Sequence, residues 1–253
     1  VLEYDVKTAF LYGDLKALIF MEQPPDFQVD GPGFICRMLK SLYGLKQAPN
    51  IWNKTLHAKL LAMGFERTES DFGLYMLKKN GEVIFLLTVY VDDLLLMSAR
   101  ALCAKVAAYL MESFELTTMG TVKYLLGVEI LINRPRREII YCQRQYVQEA
   151  IKQFHMENCN GCATPQATTE SNVAESTTTE YLHFRELVGT LQYRVGASRP
   201  DIAHTTRHLG KFLADYNQSQ YAEAKRVLRY LKATSDYGLG MNVKESTDVN
   251  ISA

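Results

Sequence analysis

The stretch VIFLLTVYVDDLLLMS, residues 83–98, joins two apolar runs through an adjacent pair of acids, Asp92 and Asp93. Each run is too short for a helix and rich in Val, Ile, Leu, Phe and Tyr, so both read as buried strands and the acid pair as the tip of a hairpin. Hydropathy alone suggests a membrane span, but two acids near its middle would cost several kcal/mol at bilayer depth. A carboxylate pair held in such surroundings is costly unless a cation or a partner requires it. A solvated turn is the bland alternative for the same two residues.

Outward from the hairpin, Lys79-Asn80-Gly81-Glu82 supplies an Asn-Gly turn that brings in a strand from residues 71–78. Further upstream, Pro49 opens a helix whose apolar stripe is Trp52, Leu56, Leu60 and Met63 and which Gly64 closes. Pro24, Pro25 and the Gly31-Pro32-Gly33 cluster demand a loop, with a strand returning at residues 34–39. At the start of the chain, residues 1–6 read as a strand interrupted by Asp5, with a short helical turn after it. If that strand neighbours the hairpin, Asp5 converges with Asp92 and Asp93. Mg²⁺ takes one or two protein carboxylates and leaves the rest of its octahedron to water and phosphate, so this arrangement suits metal-assisted phosphoryl transfer.

Downstream, residues 101–114 have helical spacing, a second hairpin turns at residues 133–137, and residues 146–156 are helical again. The polar run TTESNVAESTTTE, residues 168–180, has little to bury and reads as a linker. Helices follow at about 181–196, 200–213 and 218–233, and then a weak tail. The expected organisation is a first domain over 1–143, a helix and polar linker over 144–180, and a helical region over 181–253. The whole is α+β, its first part a split βαββαβ antiparallel sheet with helices on one side.

Composition sets outer bounds. With 253 residues, 47% hydrophobic and 22% charged, the chain is not disordered, and its zero formal charge argues against a surface that grips nucleic acid everywhere. Cys36, Cys103, Cys142, Cys159 and Cys162 are odd in number and scattered, which fits a reducing, intracellular setting better than a disulfide framework. His155, Cys159 and Cys162 fall one ligand short of a zinc set, and His204 and His208 read as helix-surface residues. Lys211, Lys225, Arg226, Arg229 and Lys232 fit either a duplex groove or ordinary solvated helix faces.

Four motifs in order resemble the reverse transcriptase of Ty1/copia-type long-terminal-repeat retrotransposons: YDVKTAFLYGDL (4–15), MEQPPDF (21–27), KSLYGLKQAPNIW (40–52) and YVDDLLL (90–96). The likeness continues through LLGVEI (125–130), FRELVGTLQY (184–193) and SRPDIA (198–203). It implies an RNA-directed DNA polymerase with a palm, partial fingers and a helical thumb or connection. Asp5, Asp92 and Asp93 become the catalytic, metal-binding acids for Mg²⁺ or Mn²⁺. Phe10, Tyr43, Gly44, Lys46 and Gln47 become nucleotide-binding, with Phe10 against the sugar, and Leu126, Gly127, Val128 and Glu129 grip the primer. The implied partners are an RNA or DNA template with primer, deoxynucleoside triphosphates and the remainder of a retrotransposon polyprotein, with no membrane; a cytoplasmic particle and the nucleus both remain open as locations.

Departures from the pattern are Asn50 where Arg is usual, Tyr12 in place of a small polar residue, and Arg194 at an apolar position, which implies either a rotated helix or a decayed copy. The chain begins without Met only four residues before Asp5, so it reads as a fragment lacking most of the fingers. Weak, salt-sensitive primer-template binding and little processive synthesis are then expected. A decayed or domesticated non-catalytic fragment that binds nucleic acid or protein is the alternative.

Overall fold

The computed structural model describes residues 1–29, 31, 33–167 and 183–242, and among these the chain is a mixed α+β fold with antiparallel sheets and C-terminal helices. Two compact units, Val1–Val122 and Lys123–Ile251, divide it.

In the first unit the elements are β1 (Leu2–Val6), a 3-10 turn (Ala9–Tyr12), β2 (Phe20–Glu22), β3 (Ile35–Arg37), α1 (Ala48–Ala62), β4 (Glu66–Arg67), β5 (Leu74–Lys79), β6 (Glu82–Tyr90), β7 (Asp93–Met97), α2 (Arg100–Met111) and β8 (Leu116–Thr121). Six strands form one antiparallel sheet in the order β4-β5-β6-β7-β1-β8, and β2 pairs with β3. Alternation decides its faces: Tyr4 and Val6, Phe85 and Leu87, and Leu94 and Leu96 all enter one core with Trp52, Leu56 and Leu60 of α1 and Cys103, Val106 and Leu110 of α2. The residues that alternate with them, Glu3, Asp5 and Asp93 among them, therefore project from the other face. Helix α1 ends in a Schellman pair, Phe65 N–H to the Leu60 carbonyl and Gly64 N–H to the Leu61 carbonyl, with Gly64 at φ +86.

The strand expected from residue 71 begins at Leu74, because Asp71 accepts from Gly73 N–H at 2.8 Å and bends the chain first. Strand β8 had no sequence expectation. Its side chains are mostly exposed and Thr-rich, so it shows no apolar period, yet it pairs with β1 along its length.

The second unit contains β9 (Tyr124–Leu125), β10 (Val128–Asn133), β11 (Glu138–Cys142), α3 (Arg144–Gln153), α4 (Phe184–Ala197), a 3-10 turn (Pro200–Ile202), α5 (Ala203–Gly210), α6 (Gln218–Ala233) and β12 (Gly238–Asn242). Strand β12, in the supposed weak tail, edges the antiparallel sheet β12-β11-β10-β9. The helices share a core of Val147, Ile151, Phe184, Leu187, Leu191, Ile202, Leu209, Val227, Leu228 and Leu231. Residues 168–180, expected to be a linker, lie outside the described residues. All five cysteines are free thiols. No helix among the described residues is long and apolar enough to cross a membrane.

Helix α4 is not rotated to spare Arg194. The side chain follows Leu187 and Leu191 into the core, is wholly buried, and leaves Nε and Nη1 without hydrogen-bond partners. Its Nη2 donates to the Tyr146 carbonyl and its guanidinium lies 4.5 Å from the Tyr146 ring centroid. Burial pushes its pKa down to about 10, so the charge persists at neutral pH. Three of the five guanidinium N–H donors, on Nε and Nη1, are thus buried unused, a cost that an apolar leucine would not carry. Arg194→Leu is therefore expected to stabilise the chain by about 1 to 4 kcal/mol, read as a higher urea midpoint with unchanged slope.

Candidate active site

The backbone register builds this site. Strands β1 and β7 run antiparallel with Asp5 directly across from Asp93, and β6 meets β7 with Tyr90 across from Asp93. Val91 and Asp92 are left as a two-residue loop. Val91 has φ +56, whereas Asp92 is not among the positive-φ residues, the sign pattern of a II′ turn whose first position glycine normally fills. For a β-branched residue this is an outlier. Two donors hold the loop: Trp52 Nε1–H to the Val91 carbonyl at 2.6 Å and Val6 N–H to the Asp92 carbonyl at 2.8 Å.

Like charges accumulate here. Burial first, then the charges of Asp92 and Asp5, pushes the Asp93 carboxyl above its ordinary value. Glu3, two residues before Asp5 and on the same face, is raised by burial and by Asp93. The nearby cation Lys7 is instead paired with Glu115 at 2.8 Å. Tyr43 joins the group: partial burial, then Asp92 and Asp5, raises its phenol. Its ring centroid lies 4.6 Å from that of Phe10. Asp5, Asp92, Asp93, Phe10 and Tyr43 are thus brought together. Gly44, at φ +94, and the exposed Lys46 lead into α1, which Gln47 caps without a side-chain hydrogen bond.

Among the described residues no three His, Cys, Asp or Glu side chains form a ready metal cluster, the His155, Cys159 and Cys162 set included. Mg²⁺ requires only one or two hard carboxylates, and Asp5 and Asp92, with Asp93 across the strand pair from Asp5, are of that donor chemistry.

Leu126, Gly127, Val128 and Glu129 belong to the second unit. Leu125 pairs with Val128, and the loop residues Leu126 and Gly127 have φ +49 and +76, the I′ pattern. The Tyr193 hydroxyl donates to the Leu126 carbonyl. Glu129 accepts from the Cys142 thiol at 3.1 Å, and burial, with that carboxylate, holds the thiol at about 11.

Sequence reasoning placed Trp52 only in an apolar stripe, because a hydrogen bond across 39 positions has no local signal. Glu3 has a sequence signal, its alternation with Asp5 along one strand.

A family model described as reverse transcriptase (RNA-dependent DNA polymerase) matches residues 1–168. The Retrovirus-related Pol polyprotein from transposon TNT 1-94 of Nicotiana tabacum is 33% identical, over 92% of this chain and 18% of that protein. The one from transposon RE2 of Arabidopsis thaliana is 34% identical, over 94% and 16%. The Transposon Ty1-DR5 Gag-Pol polyprotein of Saccharomyces cerevisiae is 32% identical, over 39% and 5%. The chain spans less than a fifth of the length of these relatives.

The raised Asp93 carboxyl gives a signed expectation. Between the ordinary aspartate value and the raised one, the folded chain binds more protons than the unfolded chain, so stability falls as pH rises through that window. Asp93→Asn should melt higher than the unmodified chain at neutral pH without added metal, and the gap should close below the ordinary aspartate range. Thermal unfolding across pH measures this. A lower-melting Asn variant at neutral pH would mean that the carboxylate has a favourable partner.

Proposed function

The chain belongs to the reverse transcriptase (RNA-dependent DNA polymerase) family, as a domain related to those of Ty1/copia-type retrotransposon Pol polyproteins, and from that premise we propose that it carries the polymerase palm and catalyses deoxynucleotide transfer to a primer. The observation that carries this reading is the register that sets Asp5 against Asp93 beside the Val91-Asp92 turn. The order β8-β1-β7-β6, with α1 and α2 as crossovers on the buried face, supports a split βαββαβ palm with partial fingers within residues 1–143. Residues 144–180 are then a helix and linker, and 181–253 the thumb or connection.

Asp5 and Asp92 would hold Mg²⁺ or Mn²⁺, with Asp93 supporting. When bound, the ion supplies Lewis-acid activation of the primer 3′-hydroxyl and neutralises charge on the triphosphate. Phe10, its ring against Tyr43, stands against the sugar and excludes a ribose 2′-hydroxyl. Tyr43 and Gly44 lie along nucleotide and template, and Lys46 and Gln47 face phosphate. The Leu126–Glu129 turn holds the primer end, its backbone accessible through Gly127. Template, primer, deoxynucleoside triphosphates and the rest of a polyprotein are the proposed partners, in an intracellular setting.

The test is incorporation of the first deoxynucleotide onto a primed RNA template with Mg²⁺ or Mn²⁺. Asp5→Asn and Asp92→Asn should each lower it by at least about a hundredfold, the scale of losing one electrostatic group in a reacting site. Phe10→Ala should keep incorporation while admitting ribonucleotides. Incorporation indifferent to the aspartates would end this reading, and duplex binding without incorporation would favour the non-catalytic alternative.

A further inference from the structure

Resting on that reading of the aspartates, the geometry points to Trp52 as the positioning residue of the carboxylate turn: its indole N–H pins the Val91 carbonyl, and thereby fixes how Asp92 and Asp93 present their oxygens to a divalent cation. Val91 occupies a backbone region that branched side chains rarely enter, so the loop does not hold this shape by its own preference. The consecutive carbonyls of Val91 and Asp92 are each taken by a donor from a different element, α1 and β1. With both fixed, the loop cannot swing without breaking one of them.

The donor itself cannot follow the loop. Trp52 is 2% exposed, stands edge-on to Phe114 at 5.2 Å, and has Tyr12 beyond at 6.1 Å. Tyr12 is in turn fixed by the Glu115 N–H at 2.7 Å. Tryptophan alone joins such a large apolar body to a donor-only nitrogen. Phenylalanine would keep most of the packing and lose the donor. Because Val91 lies on an exposed turn, at 42%, the loop can turn the freed carbonyl toward water. The main loss is the aim of the turn rather than the fold.

The experiment compares Mn²⁺ binding, followed by electron paramagnetic resonance of free Mn²⁺, with urea unfolding for the full chain, Trp52→Phe and Trp52→Phe/Val91→Gly. Trp52→Phe should weaken Mn²⁺ binding about fivefold, the scale of one lost hydrogen bond, with a nearly unchanged unfolding midpoint. Val91→Gly should recover most of it, since glycine adopts the positive φ without a pin. Unchanged Mn²⁺ affinity in Trp52→Phe, or no recovery in the double variant, would overturn the inference. If Trp52→Phe does not fold, the unmodified chain decides. Trp52 is its single tryptophan, so its indole N–H gives one resonance, which must be protected from solvent exchange in the metal-free chain; an indole N–H that exchanges as fast as a free one overturns the inference. An unmodified chain that binds no Mn²⁺ sinks the metal reading instead. Amide exchange then judges the positioning: Trp52→Phe must speed exchange in the Tyr90-Val91-Asp92-Asp93 turn, and unchanged exchange overturns it.

Discussion

The ladder between β1 and β7 is the constraint on which the first unit depends. Its register sends Tyr4, Val6, Leu94 and Leu96 to the helices, and a period of two sends Asp5 and Asp93 to the opposite face. A one-residue slip of either strand would turn its acid toward the core and its two apolar side chains outward. The repulsion between the carboxylates is therefore imposed by the same hydrogen bonds that build the core. The sheet cannot relax it by sliding, because each step of relief would cost several buried side chains. A cation that answers this repulsion would add nothing the fold lacks except charge.

The two units use the same device at different turns. In each, the first loop residue is a non-glycine with positive φ, Val91 in one and Leu126 in the other, and in each an aromatic donor from a helix takes that residue's carbonyl. The solutions differ at the second loop residue. Gly127 has no side chain, and a Cβ there would meet the Tyr193 hydroxyl at 3.4 Å, whereas Asp92 carries a carboxylate. Turns that must present backbone or charge at a defined angle are held from outside rather than by their own propensity.

What could be read from the sequence follows from what has a short period. The helix opened by Pro49 and closed by Gly64, the hairpin around Asp92, and the helices with apolar stripes are all local patterns. That the strand of Asp5 lies beside the hairpin of Asp92 and Asp93 was legible because each acid broke an apolar run; the roles proposed for them come from the family motifs. Strands β8 and β12 were hidden because edge strands with exposed side chains show neither alternation nor burial. The Trp52 bond had no sequence signal. Arg194 was legible as a misfit, but its outcome was not: charge predicts exposure, and helix α4 buries it because Leu187 and Leu191 fix the stripe it belongs to.

The basic residues of α6 show how far charge counting can mislead. Arg226 donates to Thr164 Oγ1 at 3.0 Å, Arg229 to the Asn160 carbonyl at 2.7 Å, and Lys232 to the carbonyls of Glu157 and Cys159 at 2.5 and 2.8 Å. These three fasten the segment that crosses the helix, which passes so closely that a Cβ on Gly161 would fall 2.8 Å from Ala233 Cβ. A hydroxyl and three carbonyls take up the hydrogen bonds without cancelling the charge. A phosphate backbone approaching α6 would therefore meet a positive field whose sources are already anchored. Such anchored groups could attract an anionic backbone at long range but could not reach out to individual phosphates, so under the proposed function α6 would steer a template more than grip it.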